Sequence, residues 1–242
     1  MVEDQSFRKV KRFIFSVSLL LLLTNLSFAK NFNLEKIVDL NGPWGSSFIN
    51  NEELIITEKS GKIKVVNIIS KQISEIKHNL NFLEHGQGGI LDILFKDNFI
   101  YVSYTENRGN GKTSTSIAKT KFSKKELKFE NIFQANPYSG IPIGPKWKPG
   151  FTKAIHYWVP SIATSAITIY KGKEFSEWNG HALITSLKDQ SLRKLIFKDL
   201  SNVKEDIIFQ KKIGRLRDIQ VHPENGKIYF LAGDSLWLME KN

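Results

Sequence analysis

Three side chains in this sequence have the type and spacing to hold a polar, negatively charged small molecule. Gln87 stands in Gly86-Gln87-Gly88-Gly89, where glycine lets the backbone turn sharply and come close to a neighbour or a ligand. Its amide is left to donate and to accept. Arg215 and Arg217 are two residues apart at an expected strand start, so alternation sends both to one face, a fork suited to carboxylates. The same arginines also suit salt bridges between neighbouring elements. For proton transfer the sequence offers His78, His85, His156, His181 and His222, each standing singly without the spacing of metal ligands. His85, beside the glycine-rich turn, is the best placed as a base, while His222-Pro223-Glu224-Asn225-Gly226 reads as a turn. With no cysteine among 242 residues, disulfides, thiolate nucleophiles, Cys-bound zinc, iron–sulfur clusters and c-type haem attachment are all excluded.

The elements that must position these residues begin after a separate leader. Arg8, Lys9, Lys11 and Arg12 precede an apolar run from Phe13 to Leu23, followed by Ser27-Phe28-Ala29. This is the n-region, h-region and small-residue pattern of a secretory signal peptide over residues 1–29. The run falls short of the ~20 residues that span a bilayer, so cleavage is expected to leave no stable membrane span; the competing reading is an uncleaved anchor. The formal charge is +11, from 35 Lys+Arg against 24 Asp+Glu. The cations are scattered rather than gathered in a stripe with interleaved aromatics, which argues against a nucleic-acid partner.

Past Ala29 the pattern is one of short strands. Leu54–Thr57 and Ile63–Val66 flank a polar, Gly-containing loop and read as a hairpin, as do Lys227–Leu231 and Leu236–Met239. Phe99–Tyr104 is aromatic and β-branched, a strand composition. A weak repeat of strand, polar turn, strand, Gly turn and strand starts near Gly45, Gly88, Ser165 and Arg217. Units of about 40–50 residues built this way are blades of a β-propeller. Trp44, Trp158, Trp178 and Trp237 are expected between blades, where large aromatics fill the wedge. From Ser123 to Tyr157, with Pro137, Pro142, Pro145 and Pro149, little strand character is expected.

Pro43-Trp44-Gly45, Thr57-Glu58-Lys59-Ser60-Gly61, Gly86–Asp92, Trp158–Ser165, Trp178–Lys188 and Arg215-Leu216-Arg217-Asp218 occur in this order. Together they resemble the soluble pyrroloquinoline quinone (PQQ)-dependent aldose sugar dehydrogenases, the glucose/sorbosone dehydrogenase family of six-bladed periplasmic propellers. The resemblance implies that Gln87 contacts the sugar hydroxyls, and that Lys188, Arg215 and Arg217 hold the tricarboxylated quinone. It further implies a periplasmic or secreted oxidoreductase, with a histidine base and a calcium ion serving hydride transfer from the anomeric carbon to PQQ. Without the resemblance, Lys188 reads as an exposed strand-end lysine.

The sequence departs from the family between Phe133-Gln134-Ala135-Asn136 and Tyr138–Gly144. The family's segments carrying the catalytic histidine and the calcium-binding backbone belong there and are missing. The expectation is an all-β propeller of the six-bladed quinoprotein type, shortened to about four blades over residues 30–242. Activity is then weak or lost, or the chain is a non-catalytic binder of a sugar or an anion. An open arc of blades would leave apolar faces exposed and invite a homodimer.

Overall fold

The computed structural model describes residues 32–135, 150, 152, 154–199 and 202–242. The leader over 1–29 and the prolines between 137 and 149 lie outside these residues. Strand β1 (Phe32–Asp39) is followed by a meander of β2 (Pro43–Phe48), β3 (Glu53–Glu58), β4 (Ile63–Asn67) and β5 (Ile73–His78), which forms blade 1. Blade 2 is β6 (Ile90–Lys96), β7 (Phe99–Asn107) and β8 (Thr113–Lys121), joined after a two-residue strand β9 (Glu126–Leu127) by β10 (Glu130–Gln134). Blade 3 is β11 (Thr164–Ile169), β12 (Ala182–Ser186), β13 (Ser191–Asp199) and β14 (Asn202–Gln210). Blade 4 is β15 (Leu216–Val221), β16 (Ile228–Ala232) and β17 (Ser235–Lys241), with β1 as its outer strand. The fold is therefore an all-β propeller arrangement of four blades.

Of the repeat starts, Gly45, Ser165 and Arg217 fall on the inner strands β2, β11 and β15, and Gly88 stands two residues before the inner strand β6. The segment expected to lack strand character departs from that expectation. Glu126–Leu127 adds parallel to β5, and Glu130–Gln134 pairs with β8. Ile132 and Phe133 favour a strand, Glu126, Glu130 and Asn131 do not, and an available sheet edge decides the conformation of both segments. Asn79 fixes this crossing, its amide donating to the Phe129 carbonyl at 3.1 Å and its Oδ1 accepting the Phe129 N–H at 2.8 Å.

Each blade is too thin to bury both faces alone, so apolar residues on facing sheets pack together. Blade 1 meets blade 2 through Ile55, Ile63 and Val65 against Ile93, Ile100 and Val102. Blade 4 meets blade 1 through Tyr229, Leu231 and Leu238 against Leu54, Ile56 and Val66. Blade 3 meets blade 4 through Tyr170, Trp178 and Leu192 against Ile219, Phe230 and Met239. A hydroxyl also ties each of these junctions. Thr57 Oγ1 donates to the Leu91 carbonyl, Ser46 Oγ donates to Asp218 at 2.6 Å, and Ser165 Oγ donates to the Leu216 carbonyl at 2.7 Å. Among the described residues, the inner strands β6 and β11 show no comparable packing. The blades form an arc that opens between blades 2 and 3.

Close approach of inner strands sets one glycine. A Cβ at Gly45 would lie 2.7 Å from the Asp92 Cα and 3.1 Å from the Ile93 nitrogen. Backbone at that distance cannot yield without parting β2 from β6. Gly45→Ala is expected to cost about 1–3 kcal/mol through overpacking, measured as a lower urea midpoint with an unchanged slope. An unaltered midpoint would show that the two strands are less tightly apposed.

Candidate functional site

The starts of the four inner strands lie at one end of the arc. Each start pairs with the last part of the second strand in its blade: Pro43 with Glu58, Ile90 with Tyr104, Thr164 with Ser186 and Leu216 with Ala232. The ties Thr57 to Leu91 and Ser165 to Leu216 join these ends across blades, Thr57 from the last part of β3 and Ser165 from the start of β11. This common end therefore gathers the turn before β6, the β12–β13 turn and the entry to β15. Those places carry Gln87, Lys188, Arg215 and Arg217 respectively, so residues spread over 130 positions of sequence share one mouth.

The glycine-rich turn is held by the Gly88 N–H, which donates to the His85 carbonyl at 2.8 Å. Gly89 has φ of 149°, and a Cβ there would collide with the Lys59 carbonyl oxygen. Bare backbone is what lets this turn lie against the β3–β4 hairpin. Gln87 is left exposed at the crest, its amide without a hydrogen-bond partner among the described residues. Lys188 is exposed and anchored by its backbone, which donates to the Ile162 carbonyl at 3.2 Å.

Arg215 is exposed, while the Arg217 guanidinium lies 4.5 Å from the centre of the Trp44 ring. Neither arginine nor Lys188 makes an ion pair among the described residues, so the alternative of salt bridges between blades does not hold for them. Arg217 instead joins blade 4 to blade 1 by a cation–π contact. Burial, and then repulsion from Arg215, lower the Arg217 pKa, with Asp234 opposing. Two cations are thus held together without a neutralising acid in contact, which leaves their field available to an anion. The even alternation expected at Arg215 and Arg217 is broken, because the β15–β16 register shifts between Leu216 and Asp218.

The residues behind the mouth were not legible as a group. Asp218, next to Arg217, is buried and accepts from the Ser46 N–H at 2.8 Å, the Ser46 hydroxyl at 2.6 Å and the Ile219 N–H at 2.8 Å. Glu58 is buried and takes the Lys64 ammonium at 2.6 Å and the Asn41 N–H at 2.7 Å. It shapes the entry to β2 and does not face the mouth as a ligand. Their signal was the adjacency of an acid to a recognised motif residue, which does not distinguish a support from a contact.

The histidines divide by role. His78 Nε2 lies 2.6 Å from the Gly61 carbonyl, and His222 Nε2 lies 2.7 Å from the Asn51 carbonyl. Both hold turns, as expected of His222. His85 is exposed beside the glycine-rich turn. His156 stands 3.5 Å from Glu205, which also accepts from Trp158 and Arg193. Among the described residues no three or more His, Asp or Glu side chains are grouped to hold a metal ion, and no helix is long and apolar enough to cross a membrane. Trp178 and Trp237 lie at the junction of blades 3 and 4. Trp158 departs from its expected place between blades: it packs on Ala182, Ile184 and Leu195, the face of blade 3 turned toward the opening.

The sequence model of the Glucose / Sorbosone dehydrogenase family matches residues 40–142 and 131–236. The chain belongs to this family. The two matched stretches overlap over residues 131–142. A solved glucose dehydrogenase is similar at a TM-score of 0.74 and 18% identity, the match covering 87% of this chain and 99% of the other. The apo soluble aldose sugar dehydrogenase of Escherichia coli gives 0.72 and 18% over the same shares. The PQQ-bound aldose sugar dehydrogenase of Streptomyces coelicolor gives 0.66 and 13%, covering 88% and 99%. At these identities the structures establish a shared propeller fold. An uncharacterized protein of Synechocystis is 30% identical over 93 residues, which are 38% of this chain and 22% of that relative's length.

Proposed function

We infer that this member of the family is an exported quinoprotein-type propeller that binds PQQ and an aldose at its mouth, with turnover weak or lost. One observation carries the reading. Lys188, Arg215 and Arg217, which have no ion-pair partner among the described residues, and the Gln87 amide, which has no hydrogen-bond partner among them, stand at one end of the arc, at the positions that match the family's ligand contacts. The PQQ-bound relative supports the choice of anion.

The donor set fits a tricarboxylated quinone. Arg215 and Arg217 would hold carboxylates with planar, permanently charged forks, and Lys188 would add a point charge from blade 3. Bound quinone supplies a two-electron acceptor for the hydride of the sugar's anomeric carbon. Gln87 would orient the sugar by donating to one hydroxyl and accepting from another. Trp44 keeps Arg217 in place, which lowers the ordering cost of binding.

Proton removal from the anomeric hydroxyl is where the chain is poor. His78 and His222 are committed to backbone carbonyls, and His156 lies with Glu205 on blade 3. His181 immediately precedes β12, at the end of that strand away from the mouth, which leaves His85, beside Gln87. Lacking a held base typically costs ~10²–10⁴ in rate. The same facts favour a second reading, a non-catalytic exported propeller that binds a sugar or an anion.

The test uses the purified chain with PQQ, calcium ions, an aldose and an artificial electron acceptor. Quinone binding, read by quenching of tryptophan fluorescence, is expected, with aldose-dependent dye reduction at least 10²-fold below that of an active dehydrogenase. Neither binding nor turnover would sink the quinoprotein reading. Binding with zero turnover selects the non-catalytic one. Mass spectrometry of exported protein should find a chain beginning after Ala29, and retention of residues 1–29 would overturn the cleaved leader.

A further inference from the structure

Asparagine followed by glycine is open to a reaction that needs no enzyme. The glycine nitrogen can attack the asparagine side-chain carbonyl, because glycine has no side chain to stand in the way. Four such pairs occur here: Asn41-Gly42, Asn110-Gly111, Asn179-Gly180 and Asn225-Gly226. Hairpins favour this pair because both residues accept a positive φ, so the fold calls for the reactive sequence. The fold also decides which copy can react.

Three of the four glycine nitrogens are held. The Gly42 N–H donates to Asp234 Oδ1 at 3.2 Å, the Gly180 N–H to the Tyr170 carbonyl at 2.9 Å and the Gly226 N–H to the His222 carbonyl at 3.1 Å. Two of the asparagine side-chain carbonyls are held as well. Asn179 Oδ1 accepts from the Gly172 N–H at 2.8 Å, and Asn225 Oδ1 accepts from the Lys227 N–H at 2.9 Å. Each of these pairs must give up hydrogen bonds before its reacting groups can meet.

Asn110-Gly111 differs on every count. It forms the tip of the β7–β8 hairpin, with φ of 51° and 72°, and both residues are exposed. Neither the Gly111 N–H nor the Asn110 side-chain amide has a hydrogen-bond partner among the described residues. The hairpin is closed below its tip. The Arg108 N–H donates to the Lys112 carbonyl and the Lys112 N–H to the Gly109 carbonyl, both at 2.9 Å, and the Gly109 N–H donates to Asn107 Oδ1 at 3.0 Å. None of these bonds uses a reacting group, so the tip can turn without losing one. Arg108 and Lys112 flank the pair, and their charge favours the amide anion that makes the attack.

We propose that Asn110 is a self-modification site, converting to aspartate and isoaspartate through a cyclic imide with Gly111 while the other three pairs persist. The Gly111 nitrogen gives up its proton and bonds to Asn110 Cγ. The Cγ–Nδ2 bond breaks, and Nδ2 takes up a proton and leaves as ammonia. Water then opens the ring. Cleavage between Cγ and the Gly111 nitrogen yields aspartate. Cleavage between the Asn110 main-chain carbonyl carbon and that nitrogen yields isoaspartate, in which the chain runs through Cγ. Either product exchanges a neutral amide for a carboxylate, with one water consumed and one ammonia released. The hairpin leaves β7 at the end where Tyr104 pairs with Ile90, the end that also gathers Lys188, Arg215 and Arg217. Reaction therefore lowers the positive charge of that end. The proposal does not depend on what the mouth binds.

The test ages the purified chain in warm, mildly alkaline buffer, folded in one sample and unfolded in guanidinium chloride in another. Digestion with pepsin at acid pH stops the reaction, and mass spectrometry locates the products. In the folded sample the peptide carrying Asn110 should convert at least tenfold faster than those carrying Asn41, Asn179 and Asn225. It should give two products of acid mass that separate by chromatography. Unfolding should bring the four rates together, since it removes the hydrogen bonds that hold the other pairs. Cation exchange of the aged folded chain should show a less basic species, which Asn110→Gln should abolish. Equal rates for the four pairs in the folded chain, or a faster reaction at one of the other three, overturns the proposal. So does a folded sample in which Asn110 stays intact over a period that converts it in the unfolded one.

Discussion

A double Arg215→Ala, Arg217→Ala variant is expected to bind PQQ about 10²–10⁴-fold more weakly than the wild type while keeping its fold. A hydrogen bond to a charged group contributes about 1.5–3 kcal/mol, and two forks are removed at once. The fold should survive because neither guanidinium makes an ion pair among the described residues, and Arg217 supports the blade 4 to blade 1 junction only by lying over Trp44. Arg217→Lys separates charge from shape. Lysine keeps the charge and loses the planar fork and its stacking, so it should recover part of the affinity. Binding should also weaken with added salt, since the site attracts its ligand by a net positive field over distances near the Debye length. Titration followed by fluorescence, alongside the unfolding midpoint, decides the matter. Equal affinity in the double variant would show that the quinone sits elsewhere. Loss of affinity accompanied by loss of the midpoint would make the pair structural.

What the sequence discloses and what it withholds follow from the range of the interactions concerned. Alternating apolar residues and Gly turns are local, so the hairpins around Lys59–Lys62 and Gly233–Asp234 and the four inner strands could be placed from pattern alone. The pairing of β1 with β17 joins Phe32 to Lys241, and no local pattern reports it. β10 is strand because β8 offers an edge, although Glu130, Asn131 and Gln134 are poor strand formers. At the mouth the motif residues could be named, since Gln87, Lys188, Arg215 and Arg217 lie in recognisable segments. The stacking of Arg217 on Trp44 could not, because the two lie on different blades 173 positions apart. Trp158 shows the same limit from the other side: an aromatic in a motif reads as a wedge between blades, yet here it packs on Ala182, Ile184 and Leu195 of blade 3 alone.

The buried carboxylate behind the mouth gives a prediction with an unusual sign. Asp218 is pushed up to about 6 from its ordinary 3.8, chiefly by burial, with the nearby Asp92 carboxylate adding to the effect and its hydrogen bonds opposing it. Between about pH 4 and 6 the folded chain keeps a proton that the unfolded chain has released. The contribution of Asp218 to stability therefore falls as pH rises through that window and is lowest above it, a change of about 3 kcal/mol at ~1.4 kcal/mol per unit. Replacing Asp218 by alanine strands the Ser46 and Ile219 N–H groups in the junction of blades 4 and 1, which costs about 2–5 kcal/mol for two unsatisfied buried donors. It also removes the burden of burying an ionised acid at neutral pH. Asp218→Ala is accordingly expected to be most damaging near pH 4.5 and less so near pH 7.5, the reverse of an acid held by a salt bridge. Glu53, Glu106, Asp189, Glu205 and Asp206 have lowered pKa values and give wild type and variant the same opposite trend, so the difference between the two isolates Asp218. Urea unfolding of both chains across this range measures it. A penalty that grows toward neutral pH would mean that Asp218 is ionised and favourably held, with a cation or a bound water network compensating its burial.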